Sequence, residues 1–357
     1  MGGHEVSIPQ KKVFVTGATG FIGGWVVEAM HLSGLYTPIA AVRRWQKAVR
    51  IARFGVEMRM CDLMDRASLE AAMEGCDAVV HAAVGDDDVT IEGTRNVVEI
   101  ARKLGIKRVV HLSTISVYGT NEGTFREDAP LDMSGTDYGA RKIKAEQIAL
   151  AASSDTMPVI ALRPTIVYGP FGTQWTINFA HRIVSGTWGT FGDKAEGTCN
   201  LVYVGDVVRA IMCALETDKG FGQAFNVNGP DDLTWNEYFV RFARELGLPP
   251  LGEVSAGKTE LKAKLFSPIR SFGKYVLTNH RDLLVAILKS SSLAEKAMRN
   301  LEDNLKRTPT SDQFALYGRK AFFPNNLATK VIGYAPKTSA DEGLSLSVRW
   351  LKHHSVV

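Results

Sequence analysis

The chain is poor in the features that announce several functional classes. Its 357 residues include only four cysteines, Cys61, Cys76, Cys199 and Cys213. None forms a C-x-x-C pair and none clusters with histidine. That spacing excludes a zinc module and a disulfide framework, and it fits a reducing, cytoplasmic setting. Charge of one sign is scarce too: 42 Lys and Arg against 38 Asp and Glu leave a net +4. So mild an excess does not suit a nucleic-acid partner. Strongly apolar runs such as Leu283–Leu288 fall far short of the ~20 residues that cross a bilayer. Residues 1–10 lack the apolar stretch of a signal peptide and place Val6 where myristoylation needs Ser or Thr, so they read as a short tail. No repeat, heptad array or low-complexity tract is present. Hydrophobic residues make up 45% and charged residues 22%, ordinary globular values, and the length suggests roughly two domains.

What is present is an alternation of short β-rich runs and helical stretches. The runs are Lys12–Thr16, Pro38–Val42, Val56–Cys61, Ala78–Ala83, Arg108–Thr114 and Val159–Leu162. Between them lie stretches with helical spacing: Phe21–Leu32, Arg66–Met73, Ile91–Leu104 and Gly139–Ala152. This rhythm predicts an α/β fold, a Rossmann-type doubly wound parallel sheet covered on both faces, with its ligand at the carboxyl ends of the strands. The second half is less regular. Asn200–Val204 and Ala224–Val227 read as two more strands around a helix Val207–Leu215, and Trp235–Leu246 reads as an amphipathic helix capped by Thr234. The expected organisation is a tail (1–10), a Rossmann domain (11–164 plus 200–229) and a smaller, mostly helical substrate domain (165–199 plus 230–357).

Residues 255–310 stand apart. They carry eleven Lys or Arg and five acids, which leaves the rest of the chain at −2. They read as basic amphipathic helices. One reading makes them a solvated lid over the substrate domain; the other makes them a surface for peripheral contact with anionic lipid or a lipid-linked substrate.

Four stretches carry chemistry. Thr16-Gly17-Ala18-Thr19-Gly20-Phe21-Ile22-Gly23 follows a strand and opens a helix. Gly17 permits the tight turn, Gly20 the approach of a pyrophosphate, and Gly23 close packing of helix on sheet, while the helix N-terminus offers free N–H groups and a positive dipole. At the end of the second strand stand Arg43 and Arg44, where an acid would bond an adenosine ribose and an arginine pairs with a 2′-phosphate. They favour NADP over NAD, against the reading of two solvated surface arginines. Cys61-Asp62-Leu63 ends the third strand, where Asp62 can bond an adenine amino group and Leu63 can pack on its ring; an Asp there also serves as a helix N-cap. Last come Thr114 and Tyr138-Gly139-Ala140-Arg141-Lys142. Tyr and Lys four apart share a helix face. A phenol titrates near pH 10, and a nearby ammonium and a positively charged nicotinamide would lower it. Tyr138 could then exchange a proton with a substrate oxygen that Thr114 holds.

With these residues in place the chain resembles the extended short-chain dehydrogenase/reductases, the NAD-dependent epimerase/dehydratase family. The resemblance rests on TGATGFIG (16–23), CDLMD (61–65), DAVVHAA (77–83), GTRNVVEIA (93–101), VVHLSTISVYG (109–119), DYGARK (137–142), LRPTIVYGP (162–170), NLVYVGDVVRAI (200–211) and FNVNGP (225–230). GYAPKTSADEG (333–343) also looks like the family. It implies Tyr138 as general acid/base, Lys142 on the nicotinamide ribose and tuning Tyr138, and Thr114 as the partner hydroxyl. It implies a cofactor site of Gly17, Thr19, Gly20, Phe21, Ile22, Gly23, Arg43, Asp62, Leu63, Ala82, Ala83, Tyr138, Lys142 and Pro164. His81 is then a packed strand residue. Extended members often form homodimers through a four-helix interface, here residues 91–104 and 139–152.

Several departures shape the functional expectation. Ile115 and Ser116 stand where sugar-nucleotide dehydratases carry acids, which argues against dehydration. Thr198-Cys199-Asn200 replaces the arginine with which many UDP-sugar members clamp phosphate. Thr90 stands where the family often has Asn, and Val84–Thr90 is shorter than usual. Arg43 resembles the NADP-using reductases. The first expectation is an NAD(P)-dependent epimerase or oxidoreductase acting on a secondary hydroxyl or ketone of a nucleotide sugar. The second is an NADP-dependent reductase of a less polar, sterol- or flavonoid-like alcohol or ketone. The third is a non-catalytic dinucleotide sensor, against which the intact Thr114, Tyr138 and Lys142 set counts. Trp175, Phe179, Trp188 and Phe191 could line a substrate pocket or form core.

Overall fold

Lys12–Thr16 (β1) shows how the sheet is built. Its side chains alternate, Val13 and Val15 to one face and Phe14 to the other, and all three are fully buried. The computed structural model describes residues 10–255, 257 and 309–357. In chain order β1 is followed by α1 (Phe21–Ser33), β2 (Thr37–Val42), α2 (Val49–Ala52), β3 (Glu57–Met60), α3 (Arg66–Met73) and β4 (Ala78–His81). Then come α4 (Asp87–Lys103), β5 (Arg108–Leu112), the two-residue β6 (Gly123–Thr124), α5 (Asp137–Ala151), β7 (Val159–Pro164) and β8 (Ile166–Tyr168). They are followed by α6 (Asn178–Val184), β9 (Leu201–Tyr203), α7 (Val204–Glu216), β10 (Gln223–Val227) and α8 (Trp235–Leu246).

Seven strands form one parallel sheet in the order β10-β7-β5-β4-β1-β2-β3. The expected doubly wound sheet is present. After β3 the chain returns to the other side of β1, so the order reverses between β1 and β4, where open α/β sheets leave a crevice for a ligand. One face buries Val13, Val15, Val80, Val110, Ile160 and Leu162 under Val26, Val27 and Met30 of α1 and Val207, Val208 and Ile211 of α7. The other buries Phe14, Ile39, Val79, Val109 and Val159 under Leu69 of α3, Val97, Val98 and Ala101 of α4 and Ala149 of α5. Each such side chain contributes roughly 1.5–3 kcal/mol on burial. β9, expected as a further strand, pairs with β8 in a separate two-stranded sheet.

The chain divides into two units, Met1–Tyr168 with Asn200–Asp231 and Phe322–Ala340, and Gly169–Cys199 with Asp232–Ala321 and Asp341–Val357. Residues 322–340 were expected in the substrate part. They group with the sheet because Ala328, Ile332 and Tyr334 bury in its core. The second unit has an aromatic core. Phe179, Trp188 and Phe191 are at most 4% exposed and pack on Trp235 and Phe239, so three of the four aromatics considered as pocket lining are core. Its helix α8 has the expected Thr234 cap, completed by Glu237: each residue's side chain accepts the other's backbone N–H. The tail residues 1–9 and nearly all of the basic region 255–310 lie outside the described residues. No described helix is long and apolar enough to cross a membrane.

One ion pair is buried under the sheet's carboxyl edge. Arg163 of β7 donates Nε to Glu146 Oε2 at 3.0 Å and Nη2 to Oε1 at 2.6 Å. Its Nη1 reaches the Tyr118 hydroxyl at 2.6 Å and Glu127 O at 3.1 Å. Tyr118 in turn donates to Asn226 Oδ1 at 2.8 Å. Glu146 is 1% and Arg163 4% exposed. Such a pair costs a large desolvation that its mutual attraction offsets only while both partners stay. Glu146→Leu should therefore lose about 3–5 kcal/mol in urea denaturation, and Glu146→Leu with Arg163→Leu should lose less than that single variant. A double variant as damaged as the single would remove the pair as the cause.

Candidate active site

The glycine loop is shaped by close approach. Gly17 has φ +66°, and a Cβ there would lie 2.8 Å from the Ala82 carbonyl and the Ala83 nitrogen. A Cβ on Gly23 would lie 2.2 Å from Gly17 O. The turn thus lies against the end of β4, and α1 starts directly on the turn. Gly20 is the N-cap of α1, with no side-chain cap and no acid in the first turn. The helix therefore presents uncapped N–H groups and an unopposed positive dipole beside an exposed Gly20 and half-buried Thr19, Phe21 and Ile22. This cradle fits the pyrophosphate of a dinucleotide.

The loop is tied to the sheet from beneath. Thr16 Oγ1 lies 2.7 Å from His81 Nδ1 and accepts the Ala83 N–H at 3.3 Å, and His81 Nε2 lies 3.0 Å from Thr94 Oγ1. Burial, reinforced by the Lys142 charge, pushes His81 down to about 3, so it is neutral. The expected packed role for His81 is what this geometry provides, and it adds a fixed post between β1, β4 and α4. Its neighbour His111, 5.3 Å away ring to ring, is also buried and is held well below its ordinary value by burial, then by Lys142 and His81. Neither His111 nitrogen has a hydrogen-bond partner among the described residues.

At the end of β2, Arg43 and Arg44 are exposed, and neither makes an ion pair among the described residues. At the end of β3, Asp62 is exposed and its Oδ1 accepts from Met64 N at 3.0 Å, while Leu63 is buried and lies against Gly93. The cap of α3 is Asp65, not Asp62: it accepts from Ala67 N and Ser68 N. Ala82 and Ala83 follow β4 half-buried, and Pro164 is buried at the end of β7.

The catalytic candidates meet at the start of α5. Thr136 caps this helix by accepting from Gly139 N at 2.9 Å. A Cβ on Gly139 would lie 2.6 Å from Ser116 O, so glycine lets α5 start against the turn that Thr114 opens. Thr114 Oγ1 accepts from Ser116 N at 3.2 Å and donates to Ser116 Oγ at 3.2 Å. Burial raises the Tyr138 phenol, and the neighbouring Thr114 hydroxyl and the Arg141 charge pull it down only in part, although the residue is 41% exposed. The phenol is protonated at neutral pH and placed to donate. Lys142 is 3% exposed, and its ammonium donates to the Leu112 carbonyl at the end of β5. Burial pushes it down to about 8, against the pull of Glu146 one turn further on.

Sequence reasoning missed Glu146 and Arg163, which sit behind Lys142. The available signal was a carboxylate at the third place of the Tyr138, Lys142, Glu146 helical row. It also began α4 four residues late. Asp86 caps that helix by accepting from Val89 N at 3.0 Å, so most of the short segment 84–90 is helix rather than loop.

Residues 13–228 match the NAD dependent epimerase/dehydratase family. The chain is 32% identical over 263 residues to a UDP-glucose 4-epimerase of Vibrio cholerae, covering 67% of this chain and 77% of that one. It is 30% identical over 257 residues to sterol demethylase protein B of Methylococcus capsulatus, covering 66% and 77%. In three dimensions it resembles the UDP-glucose 4-epimerase of Thermotoga maritima, solved with UDP-glucose, at a TM-score of 0.71 and 22% identity, covering 96% and 99%. At that identity the likeness speaks for the fold.

The two buried histidines set a pH dependence. Both are neutral when folded and take up protons near pH 6.5 when unfolded, so between 6.5 and their folded values the unfolded chain binds more protons. Their contribution is complete above pH 6.5 and is lost as pH falls, by up to about 1.4 kcal/mol per pH unit per histidine. His111→Leu, which removes two unpartnered nitrogens, should be neutral or stabilising at pH 7 and should flatten unfolding free energy against pH between 6 and 4. An unchanged slope would place the lost protons elsewhere.

Proposed function

The chain belongs to the NAD dependent epimerase/dehydratase family, and from that premise we propose that it is an NAD(P)-dependent oxidoreductase acting by hydride transfer at a secondary hydroxyl or ketone, with Tyr138 as acid/base. The observation that carries this reading is the meeting of Thr114, Tyr138 and Lys142 at the carboxyl edge of the same sheet whose β1–α1 turn forms the phosphate cradle. Gly17 to Gly23 would hold the pyrophosphate, Ala82, Ala83 and Pro164 would flank the cofactor, and Asp62 and Leu63 would meet the adenine. Bound there, a nicotinamide dinucleotide supplies the hydride donor or acceptor. Thr114 fixes the substrate oxygen. Tyr138, protonated in its resting state, gives a proton to a carbonyl oxygen, and takes one back when the positive charge around it is higher. Lys142 would hold the nicotinamide ribose.

The preferred substrate class is a nucleotide sugar, with epimerisation the reaction; the UDP-glucose 4-epimerase relative supports it. A second reading has its own observation. The exposed Arg43 and Arg44 at the end of β2 suit a 2′-phosphate and hence NADP, and the relative named for sterol demethylation points to a less polar alcohol or ketone. The protein would work as a homodimer through the outer faces of α4 and α5.

Tyr138→Phe should keep dinucleotide affinity and lose about 10²–10⁴-fold in turnover, assayed with nucleotide sugars and with a ketone panel plus NADPH. Full turnover in that variant would sink the mechanism. Mass spectrometry of dinucleotide released on denaturation separates the two substrate classes. Near-stoichiometric NAD(H) supports an epimerase that recycles its cofactor; an empty site that then takes NADPH supports the reductase. In the second case Arg43→Ala should weaken NADPH about 10- to 100-fold more than NADH, the scale of a lost hydrogen bond to a charged group. Equal losses would remove the NADP assignment.

A further inference from the structure

The turn that follows β3 is held from behind by α4. Leu63 is buried there, and a Cβ on Gly93 of α4 would lie 3.3 Å from the Leu63 Cβ, so glycine leaves room for the turn to lie against the helix. Three residues further along α4, Asn96 donates Nδ2 to the Leu63 carbonyl at 2.9 Å. Its Oδ1 accepts from Arg66 Nη1 at 2.6 Å, and the same Nη1 reaches Glu99 Oε2 at 2.8 Å. Only one orientation of the amide serves both neighbours: reversed, it would set its NH2 against a guanidinium and its oxygen against a carbonyl. Asn96 is 9% exposed, and a buried amide costs free energy unless both of its ends are bonded, as they are here. Arg66 stands in the first turn of α3, where a cation opposes the helix dipole. The dipole gives no reason for an arginine at that place; the bond to Asn96 does.

The rest of the turn is closed by bonds of its own. Met64 N donates to Asp62 Oδ1 at 3.0 Å and Asp65 N to Asp62 O at 3.1 Å. Those bonds fix the shape of the turn, and Asn96 fixes where it stands against α4. With the Leu63 carbonyl bonded to α4, Asp62 and Met64 are the exposed residues of the turn.

We propose that Asn96, oriented by Arg66, is a positioning residue for the adenosine end of the bound dinucleotide. It acts through Leu63, and so sets where Asp62 and Leu63 meet the adenine without touching the ligand. The inference rests on the cofactor site proposed above. The pyrophosphate cradle is held separately, since Thr16, His81 and Thr94 tie the glycine turn. Thus α4 sends one side chain to each part of the site: Thr94 to His81 beneath the glycine turn, and Asn96 to the turn for adenine. Losses at Asn96 then fall on the adenosine half of the cofactor and spare the nicotinamide half.

The test compares half-ligands and needs no substrate. Full-length protein, treated with charcoal to remove resident dinucleotide, is titrated by ligand-observed NMR with adenosine 5′-monophosphate and with nicotinamide mononucleotide. It is titrated as well with NADH or NADPH, whichever the parent binds more tightly. Asn96→Ala should weaken the adenosine half and the whole dinucleotide about 3- to 10-fold, the scale of one hydrogen bond, and leave the nicotinamide half within about twofold. Asn96→Asp, which keeps the acceptor for Arg66 and loses the donor to Leu63, should behave like Asn96→Ala. Arg66→Met should show the same preference at smaller size. Its side chain is 54% exposed, so it decides the matter even where the Asn96 variants fold poorly. A merely structural role would lower the melting temperature and weaken both halves alike. Equal losses for the two half-ligands, or unchanged adenosine affinity in both Asn96→Ala and Arg66→Met, overturn the proposal. A parent that binds none of the three ligands strikes the cofactor site and this inference together; a parent that binds them and loses both halves equally on substitution strikes this inference alone.

Discussion

The structure of the site depends on one close approach, that of Gly23 in α1 to the Gly17 carbonyl. A side chain at either position would push the first turn of the helix off the β1 turn, and the β1 turn off Ala82 and Ala83. Everything a phosphate needs follows from that contact: the helix begins at once, its first N–H groups are uncapped, and its dipole points into the crevice between β1 and β4. The row Thr16–His81–Thr94 holds the same corner from below through three elements. Because it is fully buried and uncharged, its bonds are insensitive to salt and to pH over the ordinary range. The glycine turn is thus mounted on a buried post.

The other half of the site rests on a charge that would not be buried for stability alone. Glu146 and Arg163 sit at the inner end of the row that begins with Tyr138, and every polar atom of the guanidinium has a bonded partner. A well-packed apolar pair would be about as stable. What the ion pair adds is a negative charge one turn from Lys142, which favours a charged ammonium that burial would otherwise neutralise. From Arg163 of β7 the bonds run on through Tyr118 to Asn226 of β10, so α5 is tied to two strands of the sheet.

Much of this was legible in the sequence, and the reason is local. Glycines at 17, 20 and 23, a strand before and a helix after, and Tyr and Lys four apart are short-range patterns, and α3 and α8 have the limits that their caps and apolar spacing predict. What was not legible depends on pairings distant in sequence. Arg163 and Glu146 are 17 residues apart, and nothing in the local sequence pairs them until the sheet brings β7 against α5. β9 reads as another sheet strand, yet its partner is decided by β8, three residues long. Phe179, Trp188 and Phe191 read equally as lining or core, since aromatic side chains serve both, and only their mutual packing with Trp235 and Phe239 separates the two. The start of α4 was misplaced because three consecutive aspartates look like loop, whereas at a helix N-terminus they are favoured by the dipole.

The charge arrangement around Tyr138 also bears on its protonation state. Burial leaves the phenol protonated at neutral pH, with the Thr114 hydroxyl and the Arg141 charge only partly opposing. A phenol in that state can give a proton, which is the role proposed for it above. To work as a base it needs more positive charge nearby, and the chain's own reserve is the Lys142 ammonium, now spent on a backbone carbonyl. Reduction and oxidation of one carbonyl and alcohol pair cross the same transition state, so whatever charge steadies the phenol in one direction steadies it in the other. In the reading proposed above, one arrangement of Thr114, Tyr138 and Lys142 would therefore serve an epimerase and a reductase alike, and these three residues do not separate the two classes.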